Sequence, residues 1–490
     1  MITIIGAGVS GLSAGIYLQM NGYETEIYEK HYIPGGVCTG WYKNGYYIDG
    51  CIHWLMGTKK GTGYSKMWDE LGVLEDIPII QKDVFLTVEL SNGEIFEITN
   101  DLKQFINQLH VISPEDASFI RDLENSLKAL SKANIFFDKP DDIATIFDKV
   151  KNAVQLGSSL KVFSKYSKIT IGELTKSFNS KYLAEIIQEV MGIDDFAAIA
   201  LFTTLNNFFI GNSGIPQGGS LALAKRLAQR YQSMGGKLHL NMPVDRIITQ
   251  NGRATSIVVK GNEIETDLVI SAADGYITYT KLLDNEYMSS QIKDFYKHNK
   301  PFKPLIIVSY GSNDQLEEIP HVISFPLKKV IDVGGEKIHR IKLRNHNYDP
   351  TLNKKKGAVI QVNLFSNWEF WNDLYHDLTL YNEKKDEIAA EVLEAIESHF
   401  PTLKGRLTCV DVATPKTFFH FTSVWKGAFE GWLLTPDNVT TKLKKQIEGL
   451  ENVFHIGQWT TPGGGVTIAV KDGRDIARII CRRNKRKFKT

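Results

Sequence analysis

The residues of this chain best equipped for chemistry stand at its start. The run Ile-Thr-Ile-Ile ends at Gly6-Ala-Gly8-Val-Ser10-Gly11 and passes into Leu-Ser-Ala-Gly-Ile-Tyr-Leu-Gln-Met. A β-branched run bounded by glycine reads as a buried parallel strand. Gly6 permits a tight turn, Gly8 lets the backbone approach a pyrophosphate, and Gly11 lets the next helix pack close to the strand. The amides around Ser10, at the helix N-terminus, then face the anion. A second strand, Glu-Thr-Glu-Ile-Tyr-Glu, ends in Glu29, with Lys30 beside it. A carboxylate there accepts hydrogen bonds from ribose hydroxyls and repels a 2′-phosphate. Strand, glycine turn, helix, second strand and acid occur in the order that a dinucleotide site requires.

Two further glycine clusters extend this site. Gly35 and Gly36 follow the acid and read as a second close backbone approach. Near the other end, Val-Phe-His-Ile leads to Gly457-Gln458-Trp459, then to Pro462, Gly463, Gly464, Gly465 and Val466, where a helix with a small-residue face begins. The N-terminus of such a helix stabilises negative charge on a bound ring. His53 is a candidate acid or base, since a histidine titrates near neutral pH; a satisfied structural histidine is the other reading. Trp459 is a candidate to flank the ring, with core packing as its alternative.

What the chain lacks narrows the chemistry. No Ser-His-Asp signature and no paired carboxylates of glycosidase type are present. The four cysteines are scattered, with no CxxC pair and no tight histidine cluster, so neither a metal site nor a disulfide framework is expected, and a reducing, cytoplasmic compartment fits. The formal net charge of +1 gives no argument for nucleic acid. No secretory leader pattern is visible, and no window reaches the roughly 18 apolar residues of a membrane span. The densest apolar stretch, Phe-Ala-Ala-Ile-Ala-Leu-Phe-Thr-Thr-Leu-Asn-Asn-Phe-Phe, is broken by Asn206 and Asn207 and reads as a buried or interfacial helix. Six basic residues and no acid lie between Arg482 and Lys489. They read either as a frayed, solvated terminus or as a site of peripheral contact with anionic lipid.

The acid followed by Gly35-Gly36, and the strand Asn-Gly-Tyr-Tyr-Ile-Asp49-Gly after it, resemble the extension of the flavoproteins with two dinucleotide-binding domains, which include amine oxidases and carotenoid desaturases. Gly-Gln-Trp-Thr-Thr-Pro-Gly-Gly-Gly looks like the closing motif of the phytoene desaturase-related branch, with its carotenoid isomerases and retinol saturases. The unit Asp349-Pro350-Thr-Leu352 followed by Gly357 is similar to a turn of that branch. The resemblance implies FAD as cofactor. It also implies helix initiation at Gly218 and Gly219, Val244 beside the adenine, and hydride exchange with an apolar isoprenoid, carotenoid or retinoid-like substrate. Gln458 departs from the usual Asp or Ala after the strand-end glycine and brings no charge. Trp41, Tyr46, Tyr47, Trp54, Phe208 and Phe209 are candidates to line an apolar tunnel. A flavin amine oxidase and a flavin-free prenyl carrier of the GDP-dissociation-inhibitor type remain as alternatives.

The elements that must position these residues imply an α/β fold with a Rossmann-like FAD-binding domain and a discontinuous α+β substrate domain. The first would comprise residues 1–75, 210–285 and 445–490. The second would comprise 76–209 and 286–444, with helical periodicity over 100–200. The reaction direction, the electron partner and the oligomeric state are not legible in the residues.

Overall fold

The run Ile2–Ile5 forms the central strand of a five-stranded parallel sheet in the computed structural model, which describes residues 1–353 and 357–490. The order is Val453–His455, Leu268–Ser271, Ile2–Ile5, Thr25–Tyr28, Lys237–His239. Ile2–Ile5 and Thr25–Tyr28 are buried along their whole length, as strands covered on both faces must be. Helix Val9–Met20 covers one face and packs against helices Gly219–Ser233 and Val466–Arg483. On the other face Ile5, Tyr28 and Val269 pack against Val244, Ile247 and Ile257 of the antiparallel sheet Val244–Gln250, Arg253–Val259, Asn262–Glu265. The expected α/β class with a Rossmann-like sheet is what the chain adopts, and the strands of that sheet come from widely separated stretches.

A mixed seven-stranded sheet stands beside it. Its order is Thr408–Ala413, Leu305–Ser312, Ala358–Phe365, Glu336–Asn345, Val322–Val333, Val84–Glu89, Ile95–Thr99. One face packs against helix Leu378–His399, joining Ile341, Leu343, Ile360 and Val362 to Ile388, Val392 and Ile396. Side chains alternate along a strand, so Lys342, Arg344, Gln361 and Asn363 fall on the opposite face. Helices Leu102–Ile112, Ala117–Ser131, Lys181–Met191 and Ile199–Phe209 form a third layer around Phe105, Ile120, Leu123, Ile187 and Phe202. The Asn206-Asn207 stretch is thus a buried helix, with Asn207 donating to the Thr203 carbonyl at 2.8 Å. Among the described residues no helix is long and apolar enough to cross a membrane. The lysine run 354–356, inside the Asp-Pro turn unit, lies outside the described residues.

The basic tail is docked, so the frayed reading does not hold. Phe488 packs on Tyr17, and the Lys489 amide donates to Asn21 Oδ1 at 2.8 Å. Arg478 lies over the Phe488 ring, and Arg486 over Tyr23. An aromatic residue among the charges supplies the apolar contact that the composition of the tail conceals.

Candidate active site

The glycine turn and both chain ends meet at one place. A Cβ on Gly11 would lie 2.1 Å from the Gly6 carbonyl oxygen, so only glycine allows helix Val9–Met20 to start against that turn. Gly35 closes onto the same turn, with its amide donating to the Ala7 carbonyl at 2.8 Å and a bridge to Gly8. From the other end, Ser13 Oγ donates to the Val470 carbonyl at 2.7 Å. Gly457 abuts Ser10, whose Oγ would stand 3.1 Å from a Cβ there. Buried Asp472 ties the second loop down. Its carboxylate accepts from the Gly457 amide at 2.8 Å and from Thr460 Oγ1 at 2.9 Å, and pairs with buried Lys445 at 2.5 Å.

Glu29 turns back toward the glycine turn. Its carboxylate accepts from the Ala7 amide at 2.7 Å and the His31 amide at 2.8 Å. Burial raises its pKa and the amide donors oppose the rise. With no cation paired to it among the described residues, it keeps lone pairs free for hydroxyl donors. His31 Nε2, two residues on, is buried without a partner among the described residues. A Cβ on Gly8 would meet only the Gly35 oxygen, at 4.0 Å, and one on Gly465 would meet nothing within 4 Å. A buried acceptor, an orphaned ring nitrogen and two glycines bordering open space are what a flavin adenine dinucleotide needs from a protein. Val244 starts its strand two residues after Met242, whose amide donates to the Glu29 carbonyl at 2.8 Å. Lys30 points elsewhere: its ammonium donates to the His420 carbonyl at 3.0 Å and to Ser423 Oγ at 2.8 Å.

A cavity of about 1470 Å³ opens from these loops. Val9, Val37, Cys38, Gln458, Gly464, Gly465 and Val466 form part of its wall; Phe85, Phe196, Ile199, Phe208 and Phe302 form an apolar stretch of it. His53 and Trp54 are on the wall too. Gly6, Gly8, Gly11, Glu29, Gly36 and Val244 are not. Trp459 is also off the wall. It is buried among Phe418, Trp425 and Trp432, and its carbonyl accepts from Trp432 Nε1 at 3.0 Å. Packing in that aromatic cluster accounts for it. Trp41 donates to Asp411 at 2.9 Å, the Tyr47 hydroxyl accepts from the Leu221 amide, and Phe209 packs on Phe105; they too stand outside the wall, as does Tyr46. His53 Nε2 lies 3.4 Å from Asn363 Nδ2. Burial first, then the charge of Arg344, pushes its pKa well below the ordinary value, so the ring is neutral at physiological pH. Cys38 and Cys51 are both on the wall, and the Cys51 thiol is pushed up by its contact with Cys38, then by burial. It stays protonated and is a poor nucleophile.

Two wall features escape a reading of the sequence. Glu430, between Phe429 and Gly431, has no hydrogen-bond or ion-pair partner among the described residues. Burial raises its pKa to about 7, and its carbonyl oxygen would stand 2.5 Å from a Cβ on Gly464. The signal was a lone acid in the aromatic run Phe-Glu-Gly-Trp. The second feature is a group of cations on the strand Glu336–Asn345, visible as the alternation Arg340, Lys342, Arg344.

The geometry can be set beside known proteins. Residues 9–481 match the family model described as flavin containing amine oxidoreductase. A prolycopene isomerase of an Oncidium hybrid cultivar is 24% identical, over 96% of this chain and 82% of its own length. A neurosporene-forming phytoene desaturase of Rhodobacter capsulatus is 24% identical, over 97% of this chain and 93% of its own. Among solved structures, a putrescine oxidase variant superposes with a TM-score of 0.59 at 14% identity, covering 98% of each chain.

Proposed function

Since the chain belongs to the family of flavin-containing amine oxidoreductases and is an FAD-dependent oxidoreductase, we propose that it acts on carbon–carbon bonds of an apolar isoprenoid, carotenoid-like or retinoid-like lipid, by desaturation, saturation or isomerisation. One observation carries this reading: the cavity that opens at Val9, Gln458 and Gly464–Val466 continues along Phe85, Ile199, Phe208 and Phe302. Bound flavin supplies hydride exchange at its N5. The protein's own part is to place a chain in that cavity and exclude water. Glu430 holds the proton that saturation must deliver beside the hydride, because a carboxyl titrating at about 7 is half-protonated at neutral pH. His53, neutral and on the same wall, orients rather than protonates.

The test is extraction. Lipids released from the purified, yellow protein and analysed by mass spectrometry should include an unsaturated, mostly hydrocarbon species. Recovery of a polar amine in its place would move the reaction to carbon–nitrogen bonds.

Peripheral membrane contact belongs to the same reading, and its best support is not the tail. Helix Ile146–Leu156 buries none of its residues. Ile146, Phe147 and Val154 are 80%, 88% and 75% exposed, and Val150 joins them. Residues four apart share a helix face, and Lys149 and Lys151 flank this one. Ile143 and Leu156, on either side of the stripe, line the cavity, so a lipid could pass from bilayer to cavity there. Phe147→Glu with Val150→Glu should abolish co-sedimentation with anionic vesicles while leaving the flavin bound. Undiminished co-sedimentation of the double variant would remove the helix from this role.

A further inference from the structure

A cavity meant only for hydrocarbon has no use for an unpaired cation, yet Arg344 lines this one. On the strand Glu336–Asn345, Ile341 and Leu343 enter the core beneath the sheet, while Lys342 and Arg344 reach the cavity. Arg340 pairs with Glu189 at 3.3 Å, and Lys342 reaches the same carboxylate at 3.9 Å. Ser324 Oγ donates to it at 2.5 Å. Glu189 is thereby committed. The guanidinium of Arg344, the next residue on that face, has neither an ion pair nor a hydrogen bond among the described residues.

The other groups around Arg344 do not neutralise it: the Tyr348 hydroxyl acts on it, but burial holds that hydroxyl protonated. Lys82, also on the wall, sits 4.0 Å from the Tyr348 ring centre. Asp349 accepts from the Gly218 amide at 2.7 Å and from Thr351. Asp49 accepts from the Ser220 and Cys51 amides. His53 and His321 line the same wall and are held neutral, by burial first and then by the neighbouring cations. Burial pushes Arg344 down to about 10, which leaves it charged at neutral pH. A half-buried guanidinium without a counter-ion is costly unless a ligand completes it.

We propose that Arg344, with Lys82 beside it, binds the carboxylate of the lipid substrate, so that the enzyme acts on a polyene or prenyl chain that ends in an acid. The guanidinium fork matches a carboxylate with two parallel hydrogen bonds. The inference rests on the reading of the cavity as a lipid site and adds the chemistry of one end of that lipid.

The test uses the flavin-loaded protein and three probes: parinaric acid, a fluorescent polyene carboxylate; its methyl ester; and farnesyl monophosphate. The acid should bind about tenfold or more tightly than the ester, the worth of a hydrogen-bonded charge. Arg344→Gln should erase that preference with ester affinity unchanged, and Arg344→Lys should keep part of it. Equal binding of acid and ester, or a preference that survives Arg344→Gln, overturns the inference while leaving the lipid reading intact. Binding of neither removes the lipid reading itself. An Arg344-dependent preference for the monophosphate over the acid overturns the carboxylate assignment in favour of a phosphate.

Discussion

Gly473→Val should yield a colourless protein. Gly473 lies in helix Val466–Arg483, and a Cβ there would stand 2.4 Å from the Ser10 carbonyl oxygen, 2.6 Å from the Ala14 amide nitrogen and 2.8 Å from the Ser13 Cβ. Two of these three contacts are backbone, so no rotamer change relieves them. The helix has to lift away from Val9–Met20, and the lift breaks the 2.7 Å bond from Ser13 to Val470. It also carries Asp472 off the Gly457 amide, and with it the loop that closes the cavity. Overpacking a fitted interface costs about 1–3 kcal/mol, and backbone contacts place this variant at or above about 3 kcal/mol. The measurements are flavin absorbance after gel filtration and the denaturation midpoint. A yellow variant of unchanged midpoint would mean that the helices are not held together at this seam.

Glu430→Gln should have the second large effect, on rate rather than on binding. Loss of a positioned proton donor lowers turnover by about 10²–10⁴-fold. The wild-type rate should change through an apparent pKa near 7, the value to which burial raises this carboxyl, and the variant should lose that inflection. Stability gives an independent readout. A carboxyl whose folded pKa is raised binds a proton that the unfolded chain has already released. Stability therefore falls as pH rises from the unfolded value, 4.5, to about 7. Asp274, buried and also raised to about 7, acts in the same direction, so the difference between wild type and Glu430→Gln is the quantity to measure. Identical pH dependences of rate and of stability in the two proteins would remove Glu430 from proton transfer.

Legibility in the sequence tracked locality. The turn at Gly6–Gly11, the strand leading into Glu29 and the helix starting at Val466 are set by neighbouring residues, and each appears in the fold where the sequence places it. Trp459 shows the limit. An aromatic residue next to a glycine loop reads as a ring neighbour, but Trp425 and Trp432 arrive from other stretches and enclose it. Arg344 shows the same limit in reverse. The alternation Arg340, Lys342, Arg344 is plain in the sequence, and it predicts one polar face. Whether that face meets solvent or a cavity depends on strands Ala358–Phe365 and Val322–Val333 and on Glu189 from a distant helix. Glu430 is a single letter until Gly464, from beyond the next loop, comes to rest against it.

The seam between Ser13 and Val470 joins groups 457 positions apart in the chain. Helix Val9–Met20 can therefore complete its packing only after Val466–Arg483 has been made. Contacts so distant in sequence form late and slowly. Until then the flank of Val9–Met20 that Val466–Arg483 covers is exposed, while Gly219–Ser233 can already take its own place on the helix. A chain cut before Val466 would keep every residue of the first nucleotide fingerprint and yet lack the helix that packs on Val9–Met20.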